Sequence, residues 1–164
     1  MKSEQDLLQD QTPPEFSRLI AIDRVGRDPL VETIEANEAE RAALAQRFDL
    51  ISIEFLTARV TLRRLRANTV IHMTADYRAQ CEQKSVVSLE AVTAVISDSC
   101  SCDFVITTEE ELQRGGTSEI NFDVLDEDTE LLTGSEVDIG EVIAQYFFLS
   151  LPPYPRLPGE EIPG

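Results

Sequence analysis

Residues 58–82, ARVTLRRLRANTVIHMTADYRAQCE, decide the fold. From 69 to 82, Ile71, Met73, Ala75, Tyr77, Ala79 and Cys81 alternate with His72, Thr74, Asp76, Arg78, Gln80 and Glu82. Alternation that long predicts a strand with one face on a core and one in water. The run 58–66 alternates in the same way, with Ala58, Val60 and Leu62 against Arg59, Thr61 and Arg63. Between the two runs, Ala67-Asn68 supplies a two-residue hairpin turn. Only some registers put both apolar sets on one face, because a one-residue slip exchanges the faces of a strand. Placing Arg66 opposite Thr69 does so, and it sets Arg59 against Asp76 and Arg63 against His72.

Working outward, 50–56 reads as a separate strand on Ile51, Ile53 and Phe55. Residues 16–22 form a strand with Phe16, Ile20 and Ile22 on one face. A turn at Gly26–Pro29 leads to a strand over 30–35. In NEAERAALAQRF, Asn37 caps a helix and Glu40 stands at its third position, which is a capping-box pattern. Leu44 and Phe48 lie on that helix's apolar face. Residues 93–107 read as a long strand or a pair, with Ile96, Cys100, Cys102, Phe104 and Ile106 of one parity. A flexible acidic loop region follows over about 109–134, crossed by a weaker edge strand on Ile120, Phe122 and Val124; LDEDTELLTG (125–134) is loop-like. Ser135 then caps a closing helix whose apolar line is Ile139, Ile143 and Phe147. It stops before Pro152-Pro153.

The total is an α+β domain: a β-rich antiparallel sheet or partly closed barrel of about seven strands, with two main helices at about 37–48 and 136–150. The domain spans 15–157, between flexible tails at 1–14 and 158–164. A chain of 164 residues buries about two-thirds of its unfolded surface, enough to fold without disulfides or metal.

The net charge is −17, from 31 acidic and 14 basic residues. Phosphate surfaces repel such a chain, which argues against DNA and membrane-surface binding and suits a basic partner. The charge is uneven. Residues 1–108 hold 17 acids and 12 bases, net −5, whereas 109–141 hold 12 acids and one base, net −11. The N-terminal MKSEQDLLQDQTPPEF resembles neither a signal nor a transit peptide, no run approaches a membrane span, and three cysteines are an odd number. The expected location is the reducing cytoplasm.

No residue set carries a convincing chemistry. Cys81, Cys100, Cys102 and His72 lack a CxxC pair, and His72 lies on the polar parity while Cys81 lies on the apolar one. The expectation is no metal, no cofactor and three small buried thiols. His72 is the only histidine, no GxSxG surrounds a serine, and Gly115-Gly116 lacks any phosphate-loop context, so no catalytic residue is assigned. Arg59, Arg63, Arg64 and Arg66, with Arg78 nearby, form an alternative RNA-phosphate contact. Within the acidic stretch, Glu109, Glu110, Glu111, Asp123, Asp126, Glu127, Asp128 and Glu130 are the candidate surface for a basic protein.

QKSVVSLEAV (83–92) resembles the signature of the YceD family, the large ribosomal RNA subunit accumulation proteins, approximately Q-x-C-x-x-C/T-L-E-P-V. Its matching positions are Gln83, Ser85, Ser88, Leu89 and Glu90. EFSRLI (15–20) is similar to that family's opening strand, and EANEAERAALAQRFDL (35–50) to its Ala-rich helix in alphaproteobacterial-type members. EVDIGEVIAQYFFLSLPPYPRLPG (136–159) resembles its closing D-x-G helix, on Asp138 and Gly140, and its Leu-Pro-x-x-Pro end. The resemblance implies a bacterial cytoplasmic role in synthesis, processing or stability of large-subunit ribosomal RNA, with no agreed enzymatic activity. Many members carry a cysteine pair where this chain has Ser85 and Ser88, and a proline where it has Ala91, so a thiol or metal role of that pair is absent or dispensable here. The function expected is a non-enzymatic factor that binds a basic ribosomal or rRNA-processing protein and contacts rRNA indirectly. Direct RNA binding through the arginines, and a hydrolase or ribonuclease using His72 and nearby acids, are the alternatives.

Overall fold

The computed structural model describes residues 15–65, 69–108, 110 and 129–160. Its strands are β1 (Leu19–Ala21), β2 (Leu30–Glu35), β3 (Ser52–Leu65), β4 (Val70–Lys84), β5 (Ala91–Ile106), β6 (Thr129–Leu132) and β7 (Glu136–Asp138). Its helices are α1 (Glu38–Arg47) and α2 (Ile139–Ser150), and a 3-10 turn at Ile22–Arg24 follows β1. Five strands form one sheet in the order β2-β3-β4-β5-β6, and β1 and β7 form a second, two-stranded sheet. The fold is α+β.

The β3–β4 register is the one the alternation requires: Arg59 faces Asp76 and Arg63 faces His72. Leu56, Ala58, Val60 and Leu62 therefore share a face with Ile71, Met73, Ala75, Tyr77, Ala79 and Cys81, and all of these are buried. The two helices cover that face. Leu44 comes from α1, and Ile139, Ile143 and Phe147 from α2; each is fully buried. Phe48, just past α1, meets both Phe147 and Phe148 of α2, with ring centroids 6.0 and 4.8 Å apart.

Several expectations are corrected. The sheet is mixed and open, because β6 runs parallel to the end of β5 and nothing closes a barrel. TELL at 129–132 is a strand, although acidic neighbours make its surroundings read as a loop. The two strands expected at 50–56 and 58–66 are one strand with a bulge between Ile53 and Phe55. One extra residue switches the parity, so Ile53 and Leu56 both reach the core, and a sequence read by period two breaks there. The first strand is shorter than 16–22, since Ile22 has already entered the 3-10 turn. The closing helix starts at Ile139, and residues 136–138 pair with β1 instead. Asp138, not Ser135, caps it by accepting from the Glu141 N–H. The turn at 67–68 and the expected edge strand on Ile120, Phe122 and Val124 lie outside the described residues.

The first helix begins as its sequence predicts. Asn37 Oδ1 accepts from the Glu40 N–H at 2.8 Å, and Glu40 Oε1 accepts from the Asn37 N–H at 2.9 Å. Such a cap contributes about 1 kcal/mol. Glu40 also binds Arg18 through both carboxylate oxygens, at 2.6 and 2.8 Å. The Arg18 guanidinium, by that hydrogen bond first, holds the Glu40 carboxyl below the usual carboxylate range.

Asp138 and Gly140 fix the other junction. The Asp138 carboxylate accepts from the Ser17 hydroxyl and the Arg18 N–H, both at 2.8 Å, while capping α2. A Cβ on Gly140 would stand 2.7 Å from the Phe16 carbonyl oxygen and 2.9 Å from the Arg18 nitrogen, both backbone atoms. Gly140→Ala should therefore destabilise the protein by about 1–3 kcal/mol, the usual cost of overpacking. Gly134 has open space around its Cβ direction, and Gly134→Ala should stay within about 0.5 kcal/mol of the parent. Urea denaturation of the two variants side by side checks this.

Candidate functional site

The polar parity of the long strands builds a sheet face that neither α1 nor α2 covers. Its rows cross the sheet as Glu35–Thr57–Arg78–Ser97, Thr33–Arg59–Asp76–Ser99, Val31–Thr61–Thr74–Ser101 and Arg63–His72–Asp103–Thr129. A shallow concavity of about 650 Å³ lies among Arg59, Thr61, Thr74, Asp76, Ser99 and Ser101. Its walls are mostly hydroxyls and one charge of each sign, which suits polar contacts and not an apolar ligand.

His72 Nδ1 lies 2.6 Å from Asp103 Oδ1 on this face. That contact orients the ring, as a carboxylate does in many acid–base sites. No hydroxyl or thiol is hydrogen-bonded to the ring among the described residues, so a nucleophile partnered by a base is not assembled there.

The five arginines do not form one group. Arg59, Arg63 and Arg78 are exposed on the open face. Arg64 has the parity of Ala58, Val60 and Leu62 and turns the other way. Its Nε donates to the Val25 carbonyl at 2.7 Å and its Nη2 to the Ile22 carbonyl at 2.6 Å, so it holds the turn after β1. The strand's alternation gives that difference, which grouping Arg64 with Arg59 and Arg63 passes over. Arg66 lies outside the described residues, as do Glu109, Glu111, Asp123, Asp126, Glu127 and Asp128. Glu110 and Glu130 are exposed.

Cys81 and Cys102 are buried and Cys100 is half-buried. No group of three His, Cys, Asp or Glu side chains among the described residues is placed to hold a metal ion. Burial, aided by the Glu54 charge, pushes the Cys81 thiol up to about 11.

The hairpin between β4 and β5 is the most tightly organised polar site. The Ser85 N–H donates to the Glu90 carbonyl at 2.8 Å and the Leu89 N–H to the Ser85 carbonyl at 3.0 Å, closing the loop. Leu89 adopts a left-handed φ of 64° to complete it and leaves its side chain in solvent. The fully buried Ser85 hydroxyl accepts from the Val87 and Ser88 N–H groups, at 3.1 and 3.2 Å, and donates to Glu160 at 2.6 Å. Glu160 also accepts from the Leu157 N–H at 2.6 Å. Two further bonds join hairpin and tail: Val86 N–H to the Pro155 carbonyl at 2.8 Å, and Gln83 Nε2 to the Pro152 carbonyl at 3.1 Å. Ser85, then Ser88 and the Leu157 N–H, hold the Glu160 carboxyl below the usual carboxylate range. Sequence reasoning missed Glu160, which lies beyond residue 157 in a Pro-rich run with no periodic signal.

Comparisons with protein-family models, with curated proteins and with solved structures return no match to this chain.

Two outcomes follow from these environments. At pH 8 about one Cys81 thiol in a thousand is ionised. Cys81 should resist Ellman's reagent until denaturant is added, as peptide mapping would report. Glu160 is favoured as the anion, so its tie to the hairpin is complete above the ordinary glutamate value of 4.5. It is lost as the pH falls through the lowered native value. Glu160→Gln should loosen the tail at neutral pH, seen as faster amide exchange at Val86, Val87 and Ser88 with the sheet unchanged.

Proposed function

We propose that this protein is a non-enzymatic factor that supports synthesis, processing or stability of large-subunit ribosomal RNA, acting through a basic protein partner. One observation carries the reading. The two segments on which the YceD resemblance chiefly rests, 83–92 and 136–159, lie far apart in sequence yet meet in the fold through Gln83 to Pro152 and Val86 to Pro155. Similar residues that form one bonded unit are what a shared fold requires; scattered coincidences would have no reason to touch. The serine pair has a physical role consistent with this. Ser85 and Ser88 close the hairpin by hydrogen bonds, so the turn needs neither thiol nor metal to hold its shape.

The basic-partner half of the reading is supported by charge. Of the −17, −11 falls in residues 109–141, and complementarity with a ribosomal or rRNA-processing protein would steer association. Direct RNA binding is the second reading, favoured by Arg59, Arg63 and Arg78 sharing one open face. Asp76 beside Arg59, and Asp103 on the ring opposite Arg63, weaken it.

The deciding experiment is affinity purification of the full chain from its native host, with protein and RNA identified together. Changing Glu109, Glu110, Glu111, Asp123, Asp126, Glu127, Asp128 and Glu130 to the matching amides should abolish capture of a basic protein. That capture should also fall steeply with salt. Retention of the partner by the neutral variant, unaffected by salt, would remove the acidic segment from the mechanism. Loss of binding in Arg59→Ala, Arg63→Ala and Arg78→Ala, with RNA as the captured species, would favour the second reading.

A further inference from the structure

Among the described residues, most of the outer edge of β5 has no partner strand. Its other edge pairs with β4 along its whole length, whereas β6 covers only Asp103–Ile106. Residues 91–102 have no strand beside them on that side among the described residues. The odd-numbered residues present their backbone groups to this edge. The Ser101 carbonyl accepts the Tyr146 hydroxyl there, and the Thr107 N–H reaches β6, while the Ile106 N–H turns back towards β4. By alternation the N–H and C=O groups of Thr93, Val95 and Ser97 point outward.

Among the described residues no strand pairs with the first half of this edge. Residues 91–97, AVTAVIS, contain no charge, no proline and no glycine, and Val95 is 71% exposed. Proteins normally protect such a run with lysine, proline or a covering element. A groove of about 530 Å³ lies alongside, between this edge and the tail residues Pro152, Tyr154 and Pro155. Gln83 lines the groove and is only 7% exposed.

Charge selects the occupant. The uncharged run is bracketed by two exposed acids, Glu90 and Asp98, eight positions apart and about 27 Å along an extended chain. A second copy pairing the same run antiparallel would set Glu90 of each chain against Asp98 of the other, on top of −17 per copy. Arg156 is the one base lining the groove. We infer that β5 accepts an added strand from a basic partner: an extended segment with a β-branched, uncharged centre and a Lys or Arg near each end. Its backbone pairs with Thr93, Val95 and Ser97, and its terminal bases meet Glu90 and Asp98. This assignment rests on the basic-partner reading and gives that partner a mode of attachment distinct from the acidic segment.

The test uses the full chain and a nine-residue peptide of alternating Val and Thr with Lys at each end. A Glu-ended peptide and one with a central Pro are the controls. In the free protein the amides of Thr93, Val95 and Ser97 should exchange quickly, and the Lys-ended peptide should protect them while both controls fail. Val95→Pro removes one outward N–H at an edge position where proline is compatible with a strand. It should weaken binding at least about tenfold, while Val95→Thr does not. Equal binding to parent and Val95→Pro would overturn strand addition and leave the basic-partner reading standing. Protection of the three amides in the free monomer, or no binding of the Lys-ended peptide, would also overturn it; the host purification with neutralised acids then judges the partner separately. A dimer that forms with concentration and is lost in Val95→Pro would assign the edge to a second copy and overturn the basic occupant.

Discussion

The alternation along β4 is the constraint on which the rest of the structure depends. Both long neighbours pair with this strand, and its six apolar residues from Ile71 to Cys81 all point to the side that the helices cover. A slip of one residue against either neighbour would bring His72, Thr74, Asp76 and Arg78 under α2 and put Ile71, Met73 and Tyr77 in water. Each such exchange costs on the order of 1.5–3 kcal/mol per large apolar side chain, before the cost of burying charge. Register is thereby fixed without help from the turn at its end. The open face follows as the complement of the buried one, so its pattern of hydroxyls and opposite charges is inherited from the same alternation.

Features that repeat were legible in the sequence, and features that depend on a single residue were not. The β3–β4 register and the apolar line of α2 follow from spacing that repeats over several pleats or turns, and the Asn37–Glu40 cap from a motif complete within four consecutive residues. The bulge beside Glu54 is one inserted residue, and it made one strand read as two. β6 is four residues whose burial depends on a distant strand. Asp138 took the cap that Ser135 could have taken because β7 pairs with β1 and carries the chain straight to Ile139. In the candidate site, parity sorted His72 from Cys81, but Arg64 was grouped with Arg59 and Arg63 although its side chain turns the other way. Glu160 was invisible, because nothing local in a Pro-rich run marks a residue whose partner lies 75 positions earlier.

Two electrostatic designs coexist in the chain. Around Arg18, Glu40 and Asp138, charges are paired and hydrogen-bonded, and they join β1, α1 and α2. Residues 109–130 instead gather nine acids with one base, and like charges repel one another. The first arrangement spends its charges on the fold. On the proposed reading the second is available to a basic partner, by a physics different from that of an uncharged strand edge.

The covering of the sheet also has a consequence in time. β2 to β5 are complete once residue 106 has been made, but their apolar face waits for Ile139, Ile143 and Phe147. At about 5–20 residues per second, the chain from 106 to 150 takes roughly 2–9 s to synthesise. For that interval a nascent sheet would display the part of its apolar side that α2 later covers, and its β1 would lack β7. A chain built in this order has reason to engage a chaperone during translation, and its yield should be more sensitive to pauses after residue 106 than to pauses before residue 52.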